Sequence, residues 1–430
     1  MSDGGYDGYA YGYPHKTSYG PLHPPVPLER AWQTEDKKKL FLYVHLPFCE
    51  MRCGFCNLFT TVQPGAGLVQ QTIAAIHRQS EIVAGAIAPE RIAQAAFGGG
   101  TPSFLSEGEI EQLFSKLRGT WPVQWQGIPV SFEVSPGTIT REKLVLLKCM
   151  GVDRISMGVQ SFVPQDLVAL KRPQPAGQLE QACRMIKAAG FPVFNIDLIY
   201  GNEGQDSKRW QTSLERALEW SPEELYLYPL YIRNLTNLDR SGKRPAEHRR
   251  DLYRQARDFL LAAGYRQVSM RLFRRADINR ATDYCCQEDG MVGLGPGARS
   301  YTQSLHYSSE YAVGQPGVRS IIEKFNVQDS PGYACADYGV MLDEHEQKLR
   351  YVIKSLLRTA GISHGEYQRR FGSSMEEDVP QLLELFELGL ATDDNSVLRL
   401  NDEGMVWSDT IGPWLYSDAV TSRMDVYELT

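Results

Sequence analysis

Three cysteines lie close together near the start of the chain, at Cys49, Cys53 and Cys56, in a C-x3-C-x2-C spacing. Structural zinc normally takes four ligands, usually two C-x2-C pairs or a mixture of Cys and His. The nearest candidate for a fourth ligand is His45, and no second pair follows. Three thiolates fit an iron–sulfur cluster better, because a cube held by three cysteines leaves one iron free for another molecule. Zinc is the alternative.

The whole chain has the composition of an ordinary soluble globular protein. Its 430 residues are 42% hydrophobic and 23% charged, with a net charge of −7. Such a length allows one large domain and a small one. No basic run predicts a nucleic-acid partner, and no apolar run or signal peptide predicts a membrane or an export route. Eight cysteines are too sparse for a disulfide scaffold, so we expect a cytoplasmic protein whose thiols stay reduced.

The remaining cysteines do not form a second cluster. Cys149, Cys183 and Cys335 stand alone, and we interpret them as small buried hydrophobes. Cys285 and Cys286 are adjacent, so in a strand they would point to opposite faces and would not share a metal. Their role stays open.

Six short apolar runs alternate with helical patterns, which predicts a parallel β/α sheet. Each run closes on Gly, Pro or a polar residue. These polar and glycine signals cluster at the carboxyl ends of the strands, where β/α barrels place their sites. The predicted strands span residues 40–47, 94–100, 130–136, 154–160, 193–201 and 224–231.

The segments outside this alternation have other patterns. Residues 1–35 are rich in Tyr and Gly and predict a flexible arm, or a lid whose aromatic side chains cover the site. Residues 289–301 are too rich in glycine for a plain strand and predict a turn where backbone approaches a ligand or another strand. The C-terminal part predicts amphipathic helices followed by a hairpin at residues 393–395. The expected domains are the arm (1–35), the core (36–270), a connection that closes the barrel (271–339) and a helical, winged-helix-like module (340–430).

The cysteine loop and four further motifs resemble one family. Phe55 before the last cysteine, and the preceding YVHLPFC, are similar to the radical S-adenosylmethionine (SAM) superfamily. The motifs FGGGTPSFL, FEVSPG, GVDRISMGVQSF and NIDLIYG follow in the order found in its HemN-like branch, that of oxygen-independent coproporphyrinogen dehydrogenase. The resemblance implies an α/β fold, a partial (β/α)6 radical SAM barrel with a small C-terminal helical domain.

The resemblance also implies the cofactors and the chemistry. A [4Fe–4S] cluster would be held by the three cysteines, and its free iron would chelate the amino and carboxylate groups of SAM. An electron, from a donor such as flavodoxin or ferredoxin, would cleave SAM to a 5′-deoxyadenosyl radical that removes hydrogen from an unactivated carbon. The protein supplies binding, orientation and exclusion of water. We expect a small-molecule or peptide substrate and a monomeric enzyme.

Several residues are assigned to SAM by this resemblance. The turn Gly98, Gly99, Gly100 and Thr101 would hold the methionine end of the first SAM, although an ordinary strand-to-helix turn is the alternative. Glu133 would contact SAM through ribose hydroxyls or the ammonium, whereas a salt bridge inside the sheet is the alternative.

A second group suggests a site for two SAM molecules. Tyr43, Gln160, Arg172 and Asp197, together with Glu133, match the pattern of relatives that bind two. An arginine beside a carboxylate suits an α-amino acid, because the arginine takes the carboxylate and the acid takes the amine. We expect Arg172 to reach the second SAM from across the barrel mouth.

The substrate side is assigned less fully. Tyr228, Tyr231 and Arg233 end the sixth predicted strand and are candidates to face the substrate, while packing outside the barrel is the alternative. Arg299, in the glycine-rich stretch, stands where coproporphyrinogen dehydrogenase has an apolar residue. The catalytic candidates are Tyr43, Glu133, Tyr228 and Arg299.

Three functions compete within the branch. Our main hypothesis is class C methyl or methylene transfer, which shares the three-cysteine loop and two SAM sites. Coproporphyrinogen decarboxylation is the first alternative, although Leu58 stands where that enzyme has a fourth cysteine and four substrate carboxylates would favour a basic pocket. A haem chaperone is the second, although ATDYCCQED has no histidine where the haem motif would fall. Cys285 or Cys286 would then be the haem ligand.

Overall fold

The computed structural model describes residues 12–278 and 290–429. Within these residues one large mixed sheet organises the chain, and two small sheets flank it. The strands in chain order are β1 (Gly20–Pro27), β2 (Leu40–Leu46), β3 (Phe48–Cys49), β4 (Thr61–Val62), β5 (Ile92–Gly99), β6 (Val130–Val134), β7 (Arg154–Gln160), β8 (Val193–Tyr200), β9 (Glu224–Pro229), β10 (Tyr265–Gln267), β11 (Leu272–Arg275), β12 (Met291–Leu294), β13 (Arg299–Tyr301), β14 (Leu305–Ser308), β15 (Cys335–Met341), β16 (Ile362–Ser363), β17 (Ala391–Asp393) and β18 (Val397–Leu400).

Helices fill the intervals between the strands. Short 3-10 turns at Lys16–Ser18, Pro102–Phe104, Trp125–Gly127 and Asp239–Ser241 accompany them. The α-helices are α1 (Leu28–Ala31), α2 (Ala66–Ile87), α3 (Glu107–Thr120), α4 (Arg141–Cys149), α5 (Pro164–Ala169), α6 (Gln178–Ala189), α7 (Ser207–Leu218), α8 (Arg249–Ala262), α9 (Gln315–Val327), α10 (Ser330–Tyr333), α11 (Glu344–Leu356), α12 (His364–Phe371), α13 (Met375–Asp378), α14 (Leu382–Glu387), α15 (Asp402–Val406), α16 (Ser408–Trp414) and α17 (Asp418–Asp425). No helix in the described ranges is long and apolar enough to cross a membrane.

The centre of the large sheet is parallel. Strands β2, β5, β6, β7, β8 and β9 lie side by side in that order, each parallel to the next. They coincide with the six predicted strands, and the α/β fold with a partial barrel is confirmed. β12 adds a parallel strand beside β2, antiparallel strands extend the sheet beyond β12 and beyond β9, and β1 and β10 are its separate edges. The sheet is therefore open.

The parallel strands form because both of their faces are covered. Leu40, Leu42, Val44 and Leu46 of β2 are fully buried, and the strand has no exposed alternate face. Continuous apolar runs of this kind are typical of parallel strands that helices cover from outside. The polar side chains therefore lie mainly on the loops at the carboxyl ends of these strands.

The glycine-rich stretch forms strands as well as a turn. β12 pairs in parallel with β2, and β13 folds back on it. A Cβ on Gly293 would lie 2.3 Å from the carbonyl oxygen of Arg299, and one on Gly295, whose φ is +96°, would lie 2.4 Å from that of His45. The predicted close approach to another strand is confirmed. The expectation that this stretch is no strand was wrong, because glycine here permits tight pairing.

The N-terminal segment is packed from residue 12 onward, unlike the flexible arm predicted over residues 1–35. β1 pairs antiparallel with β15 at the edge of the sheet. Tyr13 is buried and donates a hydrogen bond to Glu346. Its hydroxyl accepts one from the Ser417 backbone at 3.2 Å. Residues 1–11 lie outside the described ranges.

The C-terminal part combines helices with a hairpin, as the sequence indicates. β16, β18 and β17 form a small antiparallel sheet, and helices α11 to α14 precede its hairpin. Asp394 fixes the turn, because its Oδ1 accepts backbone hydrogen bonds from Ser396 and Val397 at 3.0 and 2.9 Å.

A buried ion network ties the amino ends of the barrel strands together. Glu224, at the start of β9, accepts hydrogen bonds from Arg154 Nε at 2.8 Å and from Arg274 Nε at 3.0 Å. Arg154 Nη1 also donates to Ser131 Oγ at 2.9 Å. The three ionic side chains are at most 3% exposed. Two guanidinium groups hold the pKa of Glu224 below its usual range despite burial.

Glu224→Gln should destabilise the fold strongly, because it removes the buried carboxylate charge that pairs with two buried guanidinium groups. Removing one partner of a buried pair costs about 3–5 kcal/mol. Urea unfolding followed by circular dichroism measures the shift in midpoint. The control is Glu323→Gln, which breaks an exposed pair with Arg319 and should cost about 0.5 kcal/mol. Equal midpoints for the two variants would contradict this role for Glu224.

Candidate active site

The cysteine loop follows β2 and is pinned to two other loops. Gly54, inside the loop, donates a backbone hydrogen bond to the carbonyl of Leu170 at 3.0 Å, and its own carbonyl accepts one from Leu238 at 2.9 Å. A Cβ on Gly54 would lie 2.8 Å from that Leu170 oxygen. Glycine is required here because the backbones approach so closely.

Each sulfur of the loop has a defined neighbour. Thr101 Oγ1 donates to Cys49 Sγ at 3.6 Å, and Arg172 Nη1 donates to Cys53 Sγ at 2.8 Å. Cys56 Sγ lies 4.0 Å from Thr60 Oγ1. Burial raises the pKa of Cys49 to about 12 and also raises that of Cys56. Buried thiols of this kind ionise once a metal supplies the missing positive charge.

The geometry fits a cluster better than a single zinc ion. Tetrahedral zinc with Zn–S bonds of about 2.3 Å places its sulfurs about 3.8 Å apart. In the described part of the chain, Cys49, Cys53 and Cys56 do not form a set whose ligand atoms all lie within 4.8 Å. A larger, multinuclear group suits three separated sulfurs.

His45 is not placed as a fourth ligand. Its Nε2 lies 3.0 Å from the carbonyl oxygen of Phe59, and its Nδ1 lies 3.4 Å from Tyr43 Oη. The residue is buried, and this burial lowers its pKa to about 4. His45 is thus a neutral histidine that packs beneath the glycine turn.

The glycine turn after β5 lies directly against the end of β2. A Cβ on Gly98 would lie 2.7 Å from Glu133 Oε1, and one on Gly99 would lie 2.6 Å from the His45 ring. A Cβ on Gly100 would lie 2.6 Å from the Phe48 carbonyl oxygen. Gly99 also has a φ of +109°, which favours glycine. No side chain fits at these positions, so the backbone itself lines the site.

Two carboxylates face each other inside the barrel. Glu133 accepts a hydrogen bond from the Gly99 backbone at 3.3 Å, and Asp197 accepts one from Asn195 Nδ2 at 2.8 Å. Burial, with Asp197 as a further cause, raises the pKa of Glu133 to about 7, and burial raises the pKa of Asp197 to about 6. A cationic ligand would relieve both shifts. The SAM sulfonium and ammonium have that charge.

Gln160 and Arg172 meet beside the cysteine loop. Gln160 ends β7 with a φ of +71°, and a Cβ on Gly158 would lie 2.8 Å from its Nε2. Arg172 Nη2 donates to the Gly158 carbonyl at 2.7 Å, next to its contact with Cys53. Arg172 thus lies beside a cluster cysteine, whereas we had expected it across the mouth. Its buried Nε has no partner in the described residues.

The predicted aromatic residues divide between two places. Phe55 and Tyr228 pack on the same apolar group, which contains Leu170, Ile199, Leu230 and Leu238. Tyr43 packs instead with Phe41, Ala96, Met291 and Tyr301.

The contacts of Tyr231 favour the alternative that this residue packs on the outside of the barrel. Its hydroxyl donates to Asp409 of α16, which also forms a 2.5 Å ion pair with Arg271. The residue therefore joins the barrel to the C-terminal helices.

Basic residues from distant parts of the chain lie near one another beside the cysteine loop, and no sequence pattern predicts this arrangement. Arg299 and Arg233 both lower the pKa of Lys16 and of His15, so their fields reach the same place. Arg299 also donates to Tyr301 Oη at 3.3 Å. Lys16 and His15 were missed because they come from a segment without periodicity, far away in sequence. Cys285 and Cys286 lie outside the described residues.

Comparisons with known proteins agree with this geometry. A model of the radical SAM superfamily matches residues 43–217, and one of the HemN C-terminal domain matches residues 342–407. The oxygen-independent coproporphyrinogen III oxidase of Synechocystis is 26% identical over 423 residues, 92% of this chain and 89% of that protein. The heme chaperone HemW of Bacillus subtilis is 25% identical over 386 residues, 87% of this chain and 98% of that protein.

A solved structure has the same overall fold. The coproporphyrinogen III oxidase (HemN) of Escherichia coli superimposes with a TM-score of 0.78 and 22% identity, over 96% of this chain and 97% of that chain. The fold and the cysteine loop thus define a protein that uses radical SAM chemistry. The chain contains a radical SAM domain over residues 43–217 and a HemN C-terminal domain over residues 342–407, and it is similar to the HemN-like branch. Its cofactors are a [4Fe–4S] cluster and SAM.

Anaerobic reconstitution should load about four irons and four sulfides per chain, because three cysteines ligate one [4Fe–4S] cluster. Cys49→Ala, Cys53→Ala or Cys56→Ala should each abolish it. Iron and sulfide assays with the visible absorbance spectrum measure the loading. Cys183→Ala is the matched control, since this cysteine is buried in α6. Stable zinc binding without iron uptake would overturn the assignment.

Glu133→Gln should stabilise the cofactor-free protein in alkaline buffer. The pKa of Glu133 rises from 4.5 to about 7 on folding, so stability falls as pH rises between these values. The gain should reach up to about 3 kcal/mol at pH 8 and stay below about 1 kcal/mol at pH 5. Unfolding midpoints at both pH values measure it. The control is the exposed Glu111→Gln; a gain independent of pH would exclude ionisation as the cause.

Proposed function

We propose that this protein is a radical SAM oxidoreductase that acts on a carboxylate-bearing substrate, as an oxygen-independent coproporphyrinogen III oxidase does. The observation that carries the proposal is the buried Lys16, whose Nζ lies 3.6 Å from the Tyr311 ring beside the cysteine loop, with Arg233 and Arg299 as its charged neighbours. The chain as a whole is acidic, so this local charge is specific to the site. A substrate with several carboxylates would compensate it.

The residues inside the barrel suit the binding of SAM. The backbone of Gly98–Gly100 offers a surface without side chains, next to the cysteine that Thr101 contacts. Glu133 and Asp197 supply acceptors for ammonium or ribose groups. Arg172 and Gln160 supply donors beside the cysteine loop, and we assign them to a second SAM molecule. The cysteine-bound cluster and SAM would together supply a carbon-centred radical that removes a hydrogen atom from the substrate.

The outer residues suit the substrate. Arg233 and Arg299 would hold carboxylates, and the Phe55–Tyr228 surface would contact an apolar ring. Transfer of one hydrogen atom to the 5′-deoxyadenosyl radical, of one electron to an external one-electron acceptor, and loss of CO2 would convert a propionate into a vinyl group. The protein's part is to place the propionate β-carbon near the radical, because misplacement by about 1 Å lowers rates about a hundredfold.

Methyl transfer, our main hypothesis from sequence, is not supported by the relatives found. These relatives are an oxygen-independent coproporphyrinogen III oxidase and a heme chaperone. The decarboxylase hypothesis retains two differences: Leu58, which is 47% exposed, stands at the place of a fourth cysteine, and Arg299 stands at the place of an apolar residue. The Leu58 side chain has no atom that binds a metal, so the three cysteines would be the protein ligands of the cluster.

A haem chaperone is the second candidate function. It is supported by the B. subtilis relative, 98% of which is covered at 25% identity. The two functions differ in what the protein does with SAM, because a chaperone would retain haem without turning over coproporphyrinogen.

The test is anaerobic turnover of coproporphyrinogen III by dithionite-reduced, reconstituted protein with SAM. Mass spectrometry should show loss of CO2 and two hydrogens per converted propionate, with 5′-deoxyadenosine in step. Arg299→Gln should weaken this conversion about tenfold or more, because charge-assisted hydrogen bonds contribute about 1.5–3 kcal/mol. Arg319→Gln, on the exposed face of α9, is the matched control.

Three other outcomes would contradict the proposal. S-adenosylhomocysteine together with a methylated product would indicate methyl transfer. Stoichiometric haem retention without SAM cleavage would indicate a chaperone. If SAM is cleaved while coproporphyrinogen III is not converted and does not accelerate the cleavage, coproporphyrinogen III is excluded as the substrate.

A further inference from the structure

The N-terminal segment is tied to the far end of the chain before it reaches the site. Tyr13 bonds to Glu346 and Ser417, and Arg350 Nη1 donates to the Tyr13 carbonyl at 2.7 Å. Ser417 Oγ in turn donates to Glu346 Oε1 at 2.6 Å. These contacts anchor the chain just ahead of the Lys16–Ser18 turn.

Lys16 is held over the aromatic ring of a residue that also contacts the cysteine loop. Its Nζ lies 3.6 Å from the centroid of the Tyr311 ring. Tyr311 Oη donates to the carbonyl of Asn57, the residue after Cys56, at 2.6 Å. Lys16 is only 7% exposed. The Lys16 ammonium therefore lies next to the cysteine loop, although Lys16 belongs to the N-terminal segment and not to the barrel.

No acidic group in the described residues accounts for this buried ammonium. No described carboxylate lies within 4.0 Å of Lys16 Nζ, the distance of an ion pair. The charged neighbours that act on it are Arg299 and Arg233, with the Cys56 thiol opposing them. Burial and the two arginines lower the pKa of Lys16. Burying a lysine among cations is costly unless an anion joins them.

We propose that Lys16 is a recognition group for a carboxylate in the active site, and that docking of the N-terminal segment completes this site. The carboxylate is that of the substrate, and here the inference rests on the proposed function. The methionine carboxylate of SAM has the same chemistry, so the experiment must separate the two sources. Lys16, Arg233 and Arg299 then form one three-cation surface, the mouth cations, for an anionic ligand.

The weakness of the contact with Tyr311 supports recognition of a carboxylate by Lys16 over a purely structural role. An ammonium regains only part of its lost hydration energy from contact with an aromatic ring. Removing a charge from water costs more than this contact returns. The contact with Tyr311 alone leaves Lys16 undercompensated, whereas a carboxylate among the mouth cations would satisfy it.

The first arm measures binding without turnover. Reconstituted wild type and Lys16→Gln are titrated with coproporphyrin III and with its uncharged tetramethyl ester, followed by porphyrin absorbance. Lys16→Gln should bind coproporphyrin III about tenfold or more weakly and the ester equally. Lys16→Arg, which keeps the charge, should retain most of the affinity. Lys38→Gln, an exposed lysine paired with Glu90, is the matched control.

The second arm measures the KM for SAM in substrate-free 5′-deoxyadenosine formation. An unchanged KM with weakened porphyrin binding assigns Lys16 to the substrate carboxylate. A KM raised about tenfold with unchanged porphyrin binding assigns it to the carboxylate of SAM. If wild type binds no coproporphyrin III, the proposed substrate fails, and the KM for SAM alone decides Lys16.

Two results overturn the inference. If Lys16→Gln leaves both the porphyrin affinity and the KM for SAM unchanged, Lys16 recognises no carboxylate. The same conclusion holds if wild type binds no porphyrin and the variant leaves the KM for SAM unchanged. Equal losses for coproporphyrin III and its ester, or lost cluster absorbance, show a structural role. The cluster spectrum is recorded for every variant, so misfolding is detected.

Discussion

The close approach of the Gly98–Gly100 turn to the end of β2 is the constraint on which the site depends. Side chains at Gly99 or Gly100 would overlap His45 or the Phe48 backbone. Because the turn lies so close, Thr101 reaches Cys49 and the Gly99 amide reaches Glu133. The cysteine loop and the surface for SAM are consequently one rigid unit, and neither is free to shift without the other.

Charge is arranged in layers along the barrel axis. Arg154 lies at the amino ends of the strands and is neutralised by Glu224. Glu133 and Asp197 lie above it, with raised pKa values, and the mouth cations lie beyond them. A zwitterionic ligand with a sulfonium therefore meets acceptors inside, and an anionic ligand meets donors outside. This arrangement favours the sulfonium ligand on the inner side of the site and the anionic ligand on the outer side.

The sequence predicted what depends on local pattern. The six parallel strands follow from short apolar runs, and the cysteines follow from spacing. It failed where distant segments meet, because periodicity does not encode tertiary partners. Glycine in β12 obscured a strand that pairs with β2.

The charged residues show the same limit. Arg172 follows a strand as predicted, yet its contact with Cys53 depends on a loop more than a hundred residues away. Tyr231 follows β9, and only the position of Asp409 shows that it bonds outward. Lys16 had no detectable signal, since its function arises from where the Tyr13 anchor places it.

The Tyr13 anchor has a consequence for biosynthesis. Its partner Ser417 lies 404 residues away, so a ribosome completes nearly the whole chain before the anchor can form. The cysteine loop emerges long before that moment and stays open to solvent while the barrel folds around it. Because the anchor forms late, the cysteine loop can receive its cluster before the Lys16 segment docks beside it. Closure of the mouth then becomes a late step of maturation, set by the order of synthesis.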